Sequence, residues 1–149
     1  MKIRVERLGN GPIITPHMDS TMGDNINGPS LIRVPDWLPA PLGRYYLYFA
    51  HHDGQYIRLA YADELAGPWR TYEDGVMSLE ASRFKGHVAS PDVHVDEEQR
   101  CLRMYFHGAD YRPHVSPSNQ RLLRRIGLAI RRNRQPAVLR LPVLRASHA

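Results

Sequence analysis

The side chains of this sequence that could do acid–base chemistry are carboxylates and histidines that border short apolar segments. Asp92 lies within an apolar stretch, and Asp19 and Asp24 lie in a polar segment close to His17. Five more histidines border apolar stretches: His51, His52, His87, His94 and His107. Carboxylates in different surroundings can divide the acid and base roles of a reaction between them. The sequence therefore offers three candidate catalytic carboxylates.

Each of these side chains also has a purely structural interpretation. Asp92 could be a solvated turn residue or a cap, and Asp19 and Asp24 could hydrogen-bond their own loop backbone. Surface histidines commonly have no ligand, and a metal site would need several ligands to converge. Arg58 could reach either a ligand carboxylate or a neighbouring aspartate. Neither a metal nor a cofactor is predicted.

The composition changes abruptly near Tyr111. Residues 1–111 hold all 15 acidic residues and 11 basic ones, whereas residues 112–149 hold nine arginines and no acid. The overall net charge of +5 therefore averages a segment of net −4 and a segment of net +9. Every Trp, Tyr and Phe lies at or before Tyr111, so only the first segment looks built to bury a sheet. With Cys101 as the one cysteine, the chain cannot form an internal disulfide or a paired-cysteine metal site.

The polar segment 8–30 is predicted to be a loop. After it, short runs of β-forming residues predict strands. The predicted strands are 30–34, 44–50, 56–61, 88–95 and 101–108, with an Asp-Gly turn at 53–54. The first three would form an antiparallel meander. Pro29 and Pro91 are 62 positions apart, and Tyr48 and Tyr105 are 57 apart. This repeat indicates stacked β-sheet blades, although a β-sandwich fits the same periodicity.

Three segments resemble the first blade of five-bladed β-propeller glycoside hydrolases, the arabinanase, β-xylosidase and invertase-like superfamily. They are Asn27 to Ile32, Gly43 to Phe49, and Ile57 to Asp63 with the following Gly67-Pro68-Trp69. Ala89-Ser90-Pro91-Asp92-Val93 is similar to the start of a later blade in the arabinanase branch. The resemblance covers residues 25–108. It implies an all-β, partial β-propeller of about two antiparallel blades, followed by a non-propeller basic tail.

The resemblance also implies roles for single residues. Glycosidic cleavage uses one protonated and one ionised carboxyl group, and in these propellers a third carboxylate raises the pKa of the acid. Asp92 matches that third group. His17, His51, His52, Arg58, His87 and His107 are the predicted substrate-binding residues, because side chains beside a cleft can hydrogen-bond sugar hydroxyls. Trp37 and Trp69 could stack on sugars or pack between blades.

Two departures from the family pattern concern its catalytic carboxylates. Gly28 stands where the family carries its usual base, and the nearby replacements are Asp19 and Asp24, of which Asp19 is favoured because His17 could orient it. The family's proton donor is a glutamate on a later blade. No acidic residue follows Asp110. The chain by itself is therefore predicted to lack the general acid.

The segment 112–149 has two interpretations. Leu122, Leu123, Ile126, Ala129 and Ile130 could share one face of a basic amphipathic helix, which could bind nucleic acid or an acidic membrane. Alternatively, this segment is translated out of frame, because Lys, Asp, Glu, Phe, Tyr and Trp all disappear together. The favoured interpretation is the frame change, which the nucleotide sequence beyond codon 111 tests.

Together these observations predict a fragment of a glycoside hydrolase that is inactive alone and whose partner is a carbohydrate. A carbohydrate-binding module without catalysis is one alternative, and a nucleic-acid or membrane adaptor acting through the tail is another. The N-terminus has no apolar run typical of a secretion signal, and a cytoplasmic location is expected. The sugar, the linkage and the oligomeric state are left open.

Overall fold

The computed structural model describes residues 3–7, 11–16, 18–19, 22, 25–51, 54–82, 84–110, 123–132 and 143–144. Within these residues the chain forms eight strands and one short helix. They are β1 (Ile26–Arg33), β2 (Tyr45–His51), β3 (Tyr56–Ala62), β4 (Arg70–Ser78), α1 (Leu79–Ser82), β5 (His87–Asp96), β6 (Cys101–Asp110), β7 (Leu123–Arg132) and β8 (Val143–Leu144). The fold is all-β, as the density of β-forming residues predicts.

The strands form two antiparallel meanders. The N-terminal sheet has the order β1-β2-β3-β4, and the C-terminal sheet has the order β5-β6-β7-β8. In each sheet, every strand pairs with the one that follows it in sequence, as short antiparallel connections favour. The five predicted strands all form. The fourth strand of the N-terminal sheet, β4, was not predicted.

The irregular pairing of β4 explains why its sequence gave no strand signal. Its segment 73–76 lies opposite a single residue of β3, because the register shifts between the pairs Ile57–Met77 and Leu59–Tyr72. Gly75 adopts a φ of +63° within this excursion. Such an insertion breaks the alternation of apolar and polar residues that marks a regular strand.

The predicted loop 8–30 is wrong over its last residues, because β1 begins at Ile26. A register shift between Asn27 and Ser30 accommodates the Gly28-Pro29 pair, and Gly28 adopts a φ of +60°. Proline lacks an N–H group and cannot donate a backbone hydrogen bond. Because β1 is an edge strand of its sheet, no described strand pairs with its outer side, and Pro29 leaves no hydrogen bond unmade there. A bulge thus turns a loop-like sequence into part of the sheet.

The helical interpretation of residues 121–132 is wrong where the structure describes them. Leu123–Arg132 forms β7, which pairs with β6 along ten residues, from Leu123 opposite Asp110 to Arg132 opposite Cys101. The sequence of this strand alternates at Ile126, Leu128 and Ile130, so it fits a strand as well as a helix. Pairing with the edge of β6 satisfies backbone N–H and C=O groups of this segment, as the internal hydrogen bonds of a helix would. The out-of-frame hypothesis stays a prediction.

The core lies between the two sheets. The face of each sheet that points to the other, its near face, is apolar and buried. The N-terminal sheet contributes Ile32, Tyr46, Tyr48, Ile57 and Leu59, and the C-terminal sheet contributes Val88, Val93, Leu102, Met104 and Phe106. Because side chains alternate along a strand, the residues between these point to the opposite, far face of each sheet.

The first strands of the two sheets, β1 and β5, lie against each other. The backbone N–H of Val93 donates to the Oγ of Ser30 at 2.9 Å. A Cβ atom on Gly28 would lie 2.6 Å from the Cα of Ser90, so the missing side chain permits this approach. At the other end of these strands, the indole Nε1 of Trp37 donates to Glu97 at 2.6 Å. The backbone N–H of Val88 also donates to the carbonyl of Gly54, between β2 and β3, at 3.2 Å. Polar bonds therefore join the sheets in addition to the apolar core.

Candidate functional site

The first two strands of each sheet repeat each other residue by residue, which fixes where Asp92 lies. Ser30 pairs with Tyr48 in the N-terminal sheet, and Asp92 pairs with Tyr105 in the C-terminal sheet. Both first strands shift register at the proline just before these residues. The spacings of 62 and 57 residues are therefore the offsets of the first and second strands, and Asp92 is the counterpart of Ser30.

Asp92 lies on the far face of the C-terminal sheet in a small cluster, the Asp92 cluster, with His94 and Tyr105. The Nε2 of His94 lies 2.9 Å from a carboxylate oxygen of Asp92. The side chain of Asp92 is 68% exposed and that of His94 is 56% exposed. The rings of His94 and Tyr105 pack edge to face, with centroids 5.7 Å apart. Tyr105 is itself 41% exposed, so the cluster presents a carboxylate, an imidazole and an aromatic ring to solvent.

Three predicted substrate-binding histidines lie at the end of the sheets where β1 and β5 begin. The rings of His87 and His107 pack edge to face with centroids 5.6 Å apart, and His87 is buried. His51 ends β2, opposite Ile26 at the start of β1. The structure therefore brings His87 and His107 together and places His51 at the corresponding end of the neighbouring sheet.

Asp19 and Arg58 form a buried ion pair on the far face of the N-terminal sheet. The Nη2 of Arg58 donates to Asp19 at 3.3 Å, and the hydroxyl of Thr71 donates to the same oxygen at 3.1 Å. The side chains of Arg58 and Asp19 are 1% and 9% exposed. Of the two predicted partners of Arg58, a ligand carboxylate or a neighbouring aspartate, the structure has the aspartate. Burial with a paired cation favours a structural role for both groups.

Asp19 and Asp92 are not brought together, because they lie on the far faces of different sheets. A catalytic pair of carboxylates would need both groups at one sugar-binding cleft. Asp24, His17 and His52, which are also predicted site residues, lie outside the described residues. In the described segments, no group of three His, Cys, Asp or Glu side chains gathers that could hold a metal ion.

The two tryptophans differ in their surroundings. Trp37 is partly buried and joins the two sheets through Glu97, so it packs between sheets. Trp69 is buried on the far face of the N-terminal sheet, where its Nε1 donates to the carbonyl of Leu65 at 3.2 Å. Neither indole lies in the Asp92 cluster, so neither serves there as a stacking platform.

The acidic turn between β5 and β6 is a short hairpin connection that Asp96 holds together. The Gln99 backbone N–H donates to Asp96 at 2.7 Å, and Arg103 forms an ion pair with the same side chain. The Gln99 hydrogen bond, and next the Arg103 side chain, hold the pKa of Asp96 below its usual value. These contacts stabilise the turn and leave no sign of a catalytic carboxyl group there.

The sequence did not point to His94 and Tyr105 as partners of Asp92, although two signals were present. Alternation along a strand puts residues 92 and 94 on the same face. The repeat offset then places Tyr105 opposite Asp92, as Tyr48 is opposite Ser30. Combining strand period with repeat register would have found the whole cluster.

The cluster can bind a neutral polar ligand by two means. The carboxylate accepts hydrogen bonds from hydroxyl groups, while the phenol ring offers an apolar surface and a polar tip. The cluster alone supplies one carboxyl group of the two that glycosidic cleavage requires.

Comparison with known proteins gives one viral relative. The chain is 35% identical over 100 residues to the "Uncharacterized protein R118" of Acanthamoeba polyphaga mimivirus. The match covers 56% of this chain but 28% of the viral protein, so most of that protein lies outside the shared region. No protein-family model matches the chain, and no solved structure matches it. Among the described residues, no helix is long and apolar enough to cross a membrane.

Proposed function

We propose that this chain is part of a β-propeller of the glycoside-hydrolase type and that it binds carbohydrate through the Asp92 cluster without cleaving it. The observation that carries the proposal is the solvent-exposed Asp92, held by His94 beside the exposed ring of Tyr105. The motif resemblance predicts a functional carboxylate at this position of the chain. The viral relative, which is much longer than the match, supports the idea that related regions occur inside larger proteins.

Lack of cleavage follows from the separation of the carboxylates. Asp19 is paired with Arg58 on the far face of the other sheet, so it is not available as a base beside Asp92. No acidic residue follows Asp110, which leaves no candidate on a later strand for the proton donor. Activity would therefore require carboxyl groups from outside this chain.

Carbohydrate binding and turnover are tested together on the full chain. Arabino- and xylo-oligosaccharides are titrated by calorimetry, and the matching nitrophenyl glycosides are assayed for hydrolysis. We expect weak binding without turnover, and Asp92→Asn or Tyr105→Ala should weaken binding at least about tenfold, or 1.4 kcal/mol. Asp63→Asn, in the exposed turn after β3, is the matched control and should leave binding unchanged.

The outcomes separate the proposal from its alternatives. Turnover that Asp92→Asn abolishes would contradict the absence of catalysis. Binding that neither substitution changes would favour a carbohydrate-binding module that uses another surface. If no oligosaccharide binds, the assignment to carbohydrate is wrong.

The nucleic-acid or membrane adaptor stays a second candidate because residues 112–149 carry a net charge of +9. Deleting this segment would not test the adaptor cleanly, since the deletion would remove β7 from the C-terminal sheet. Replacing Arg134, Arg140 and Arg145 with Gln changes the charge outside β7 and β8. The adaptor function predicts binding to DNA or to anionic vesicles that weakens with salt and with these three substitutions.

A further inference from the structure

Two positions of β5 that are buried in the C-terminal sheet have exposed counterparts in β1 of the N-terminal sheet. Val93 of β5 is 7% exposed, but its counterpart Leu31 of β1 is 50% exposed. Likewise Pro91 is buried and its counterpart Pro29 is exposed. The difference arises because the N-terminal sheet covers β5, whereas no described sheet covers β1 on that side.

The uncovered surface of β1 is an apolar groove of about 450 Å³. Its lining residues come from β1, β2 and the segment before them: Ile13, Ile14, Ile26, Asn27, Pro29, Leu31, Leu47 and Phe49. The counterparts of Leu31, Leu47 and Phe49 in the C-terminal sheet are Val93, Met104 and Phe106, which are all in the core between the sheets. The groove therefore has the composition of a surface that packs against another sheet.

The far face of the C-terminal sheet shows the complementary difference. Tyr105 is 41% exposed, whereas its counterpart Tyr48 is 1% exposed against the C-terminal sheet. Asp92 is likewise open, whereas its counterpart Ser30 accepts a hydrogen bond from the N–H of Val93 across the sheet interface. The chain thus carries one complete sheet-to-sheet interface and, at each side, an exposed part of the same surface. On the side of β1 this exposed part lies around Leu31, because Phe49 is already buried in a cluster with Met22 and Trp69.

We propose that a second copy of this chain binds head to tail, with the β1 groove of one copy on the Asp92 face of the other. In this contact, Leu31 of one copy packs as Val93 packs within a single chain. Tyr105 of the other copy packs as Tyr48 does. Asp92 would accept a hydrogen bond from the backbone N–H of Leu31 of the second copy, as Ser30 does from Val93. The occupant is a second copy because this chain supplies both surfaces and already joins them once within itself.

Such a contact uses different surfaces on the two copies, so it leaves one groove and one Asp92 face free at the ends of every assembly that does not close. We therefore expect the average mass to rise with concentration. Carbohydrate and a second copy would exclude each other at Tyr105, so association is measured without sugar. The result then does not depend on the proposed function.

The experiment measures mass by sedimentation velocity and light scattering up to about 100 µM, where even an interface of micromolar affinity is occupied. Leu31→Glu should weaken association at least about tenfold, or 1.4 kcal/mol, because it places a charge in the groove. Leu65→Glu is the matched control, since Leu65 is 39% exposed in the turn after β3, away from both surfaces. Tyr105→Glu should weaken association by disabling the other surface.

Mixing the two defective variants gives the decisive measurement. Leu31→Glu retains an intact Asp92 face, and Tyr105→Glu retains an intact groove, so a mixture should form a 1:1 complex and stop there. Circular dichroism verifies that each variant is folded. A wild-type chain that stays monomeric at the highest concentration overturns the proposal. A mixture that stays monomeric while the wild type associates also overturns it, because an intact groove and an intact Asp92 face would then not bind each other.

Discussion

The N-terminal and C-terminal sheets share a strand order and a register but differ in where their polar groups lie. In the N-terminal sheet, the near face is aromatic and buried, and the far face encloses the Arg58–Asp19 ion pair under the segment that precedes β1. In the C-terminal sheet, the far face carries the exposed Asp92–His94 pair. One backbone pattern therefore supports a packing surface in one sheet and a polar, open surface in the other.

This difference shows that the position in the stack, rather than the strand itself, decides what a residue does. Tyr48 and Tyr105 are the same residue type at the same register, yet one is buried between the sheets and the other faces solvent. A sheet that is covered on both sides must be apolar on both sides, whereas an uncovered side can carry ligand-binding groups. The comparison leads to four measurements.

The largest effect is expected from truncating the two equivalent tyrosines. Tyr48→Ala removes a buried ring from the core and should lower the free energy of unfolding by about 3–5 kcal/mol. Tyr105→Ala removes a half-exposed ring and should cost at most about 1 kcal/mol. Urea denaturation of dilute protein measures both. Equal losses would contradict the different packing of the two positions.

The two ion pairs provide the second comparison. Asp19→Ala removes the carboxylate that pairs with the buried guanidinium of Arg58 and should cost about 3 kcal/mol. Asp92→Ala breaks an exposed pair and should cost at most about 1 kcal/mol. Arg44→Ala, which breaks the exposed Arg44–Glu64 pair, is a control with an expected effect as small as that of Asp92→Ala. A large loss for Asp92→Ala would mean that this carboxylate stabilises the fold.

The close approach of β1 and β5 predicts effects of opposite sign at equivalent positions. Gly28→Ala places a methyl group at a φ of +60° against Ser90 and should cost about 2–3 kcal/mol. Ser90 adopts a φ of +49°, so Ser90→Gly should relieve strain and stabilise the chain by up to about 1 kcal/mol. Gly11→Ala, where a Cβ meets open space, should be neutral. Thermal unfolding distinguishes the three variants.

The smallest effect on stability is expected in the turn between β5 and β6. This turn is four residues long, whereas the corresponding connection of the N-terminal sheet, between β1 and β2, spans residues 34–44. The pKa of Asp96 lies below its usual 3.8 because the Gln99 N–H and then Arg103 favour the ionised form. Its contribution to stability is therefore present above pH 3.8 and lost as the pH falls through the lower pKa of the folded state. Asp96→Asn should be slightly less stable than wild type at pH 7, and the difference should vanish in acid.

A pH-independent difference between wild type and Asp96→Asn would contradict this assignment. Asp36→Asn serves as the control, because Asp36 is an exposed acid in the other connection. The stability of the Asp36→Asn variant should follow that of the wild type across the same pH range.

Several features of the fold were predictable from local sequence. The strands β2, β3, β5 and β6 are dense in β-forming residues, and the recurrence of a proline and of an aromatic residue revealed the repeat. The strand β4 was missed because its four-residue excursion hides the alternation. The helix expected near residues 121–132 was wrong over Leu123–Arg132, because a segment with both periodicities takes the structure that its neighbour's free edge allows.

The sequence by itself determined an all-β chain with two repeats and placed Asp92 at the start of the second. Only the tertiary structure decided that Asp19 is buried in an ion pair with Arg58 and that Asp92 has His94 and Tyr105 beside it. It also decided that Asp19 and Asp92 lie apart. The physical reason is that strand period and repeat spacing are local properties of the chain. Which face of a sheet becomes covered depends on how whole sheets pack, and no single residue encodes it.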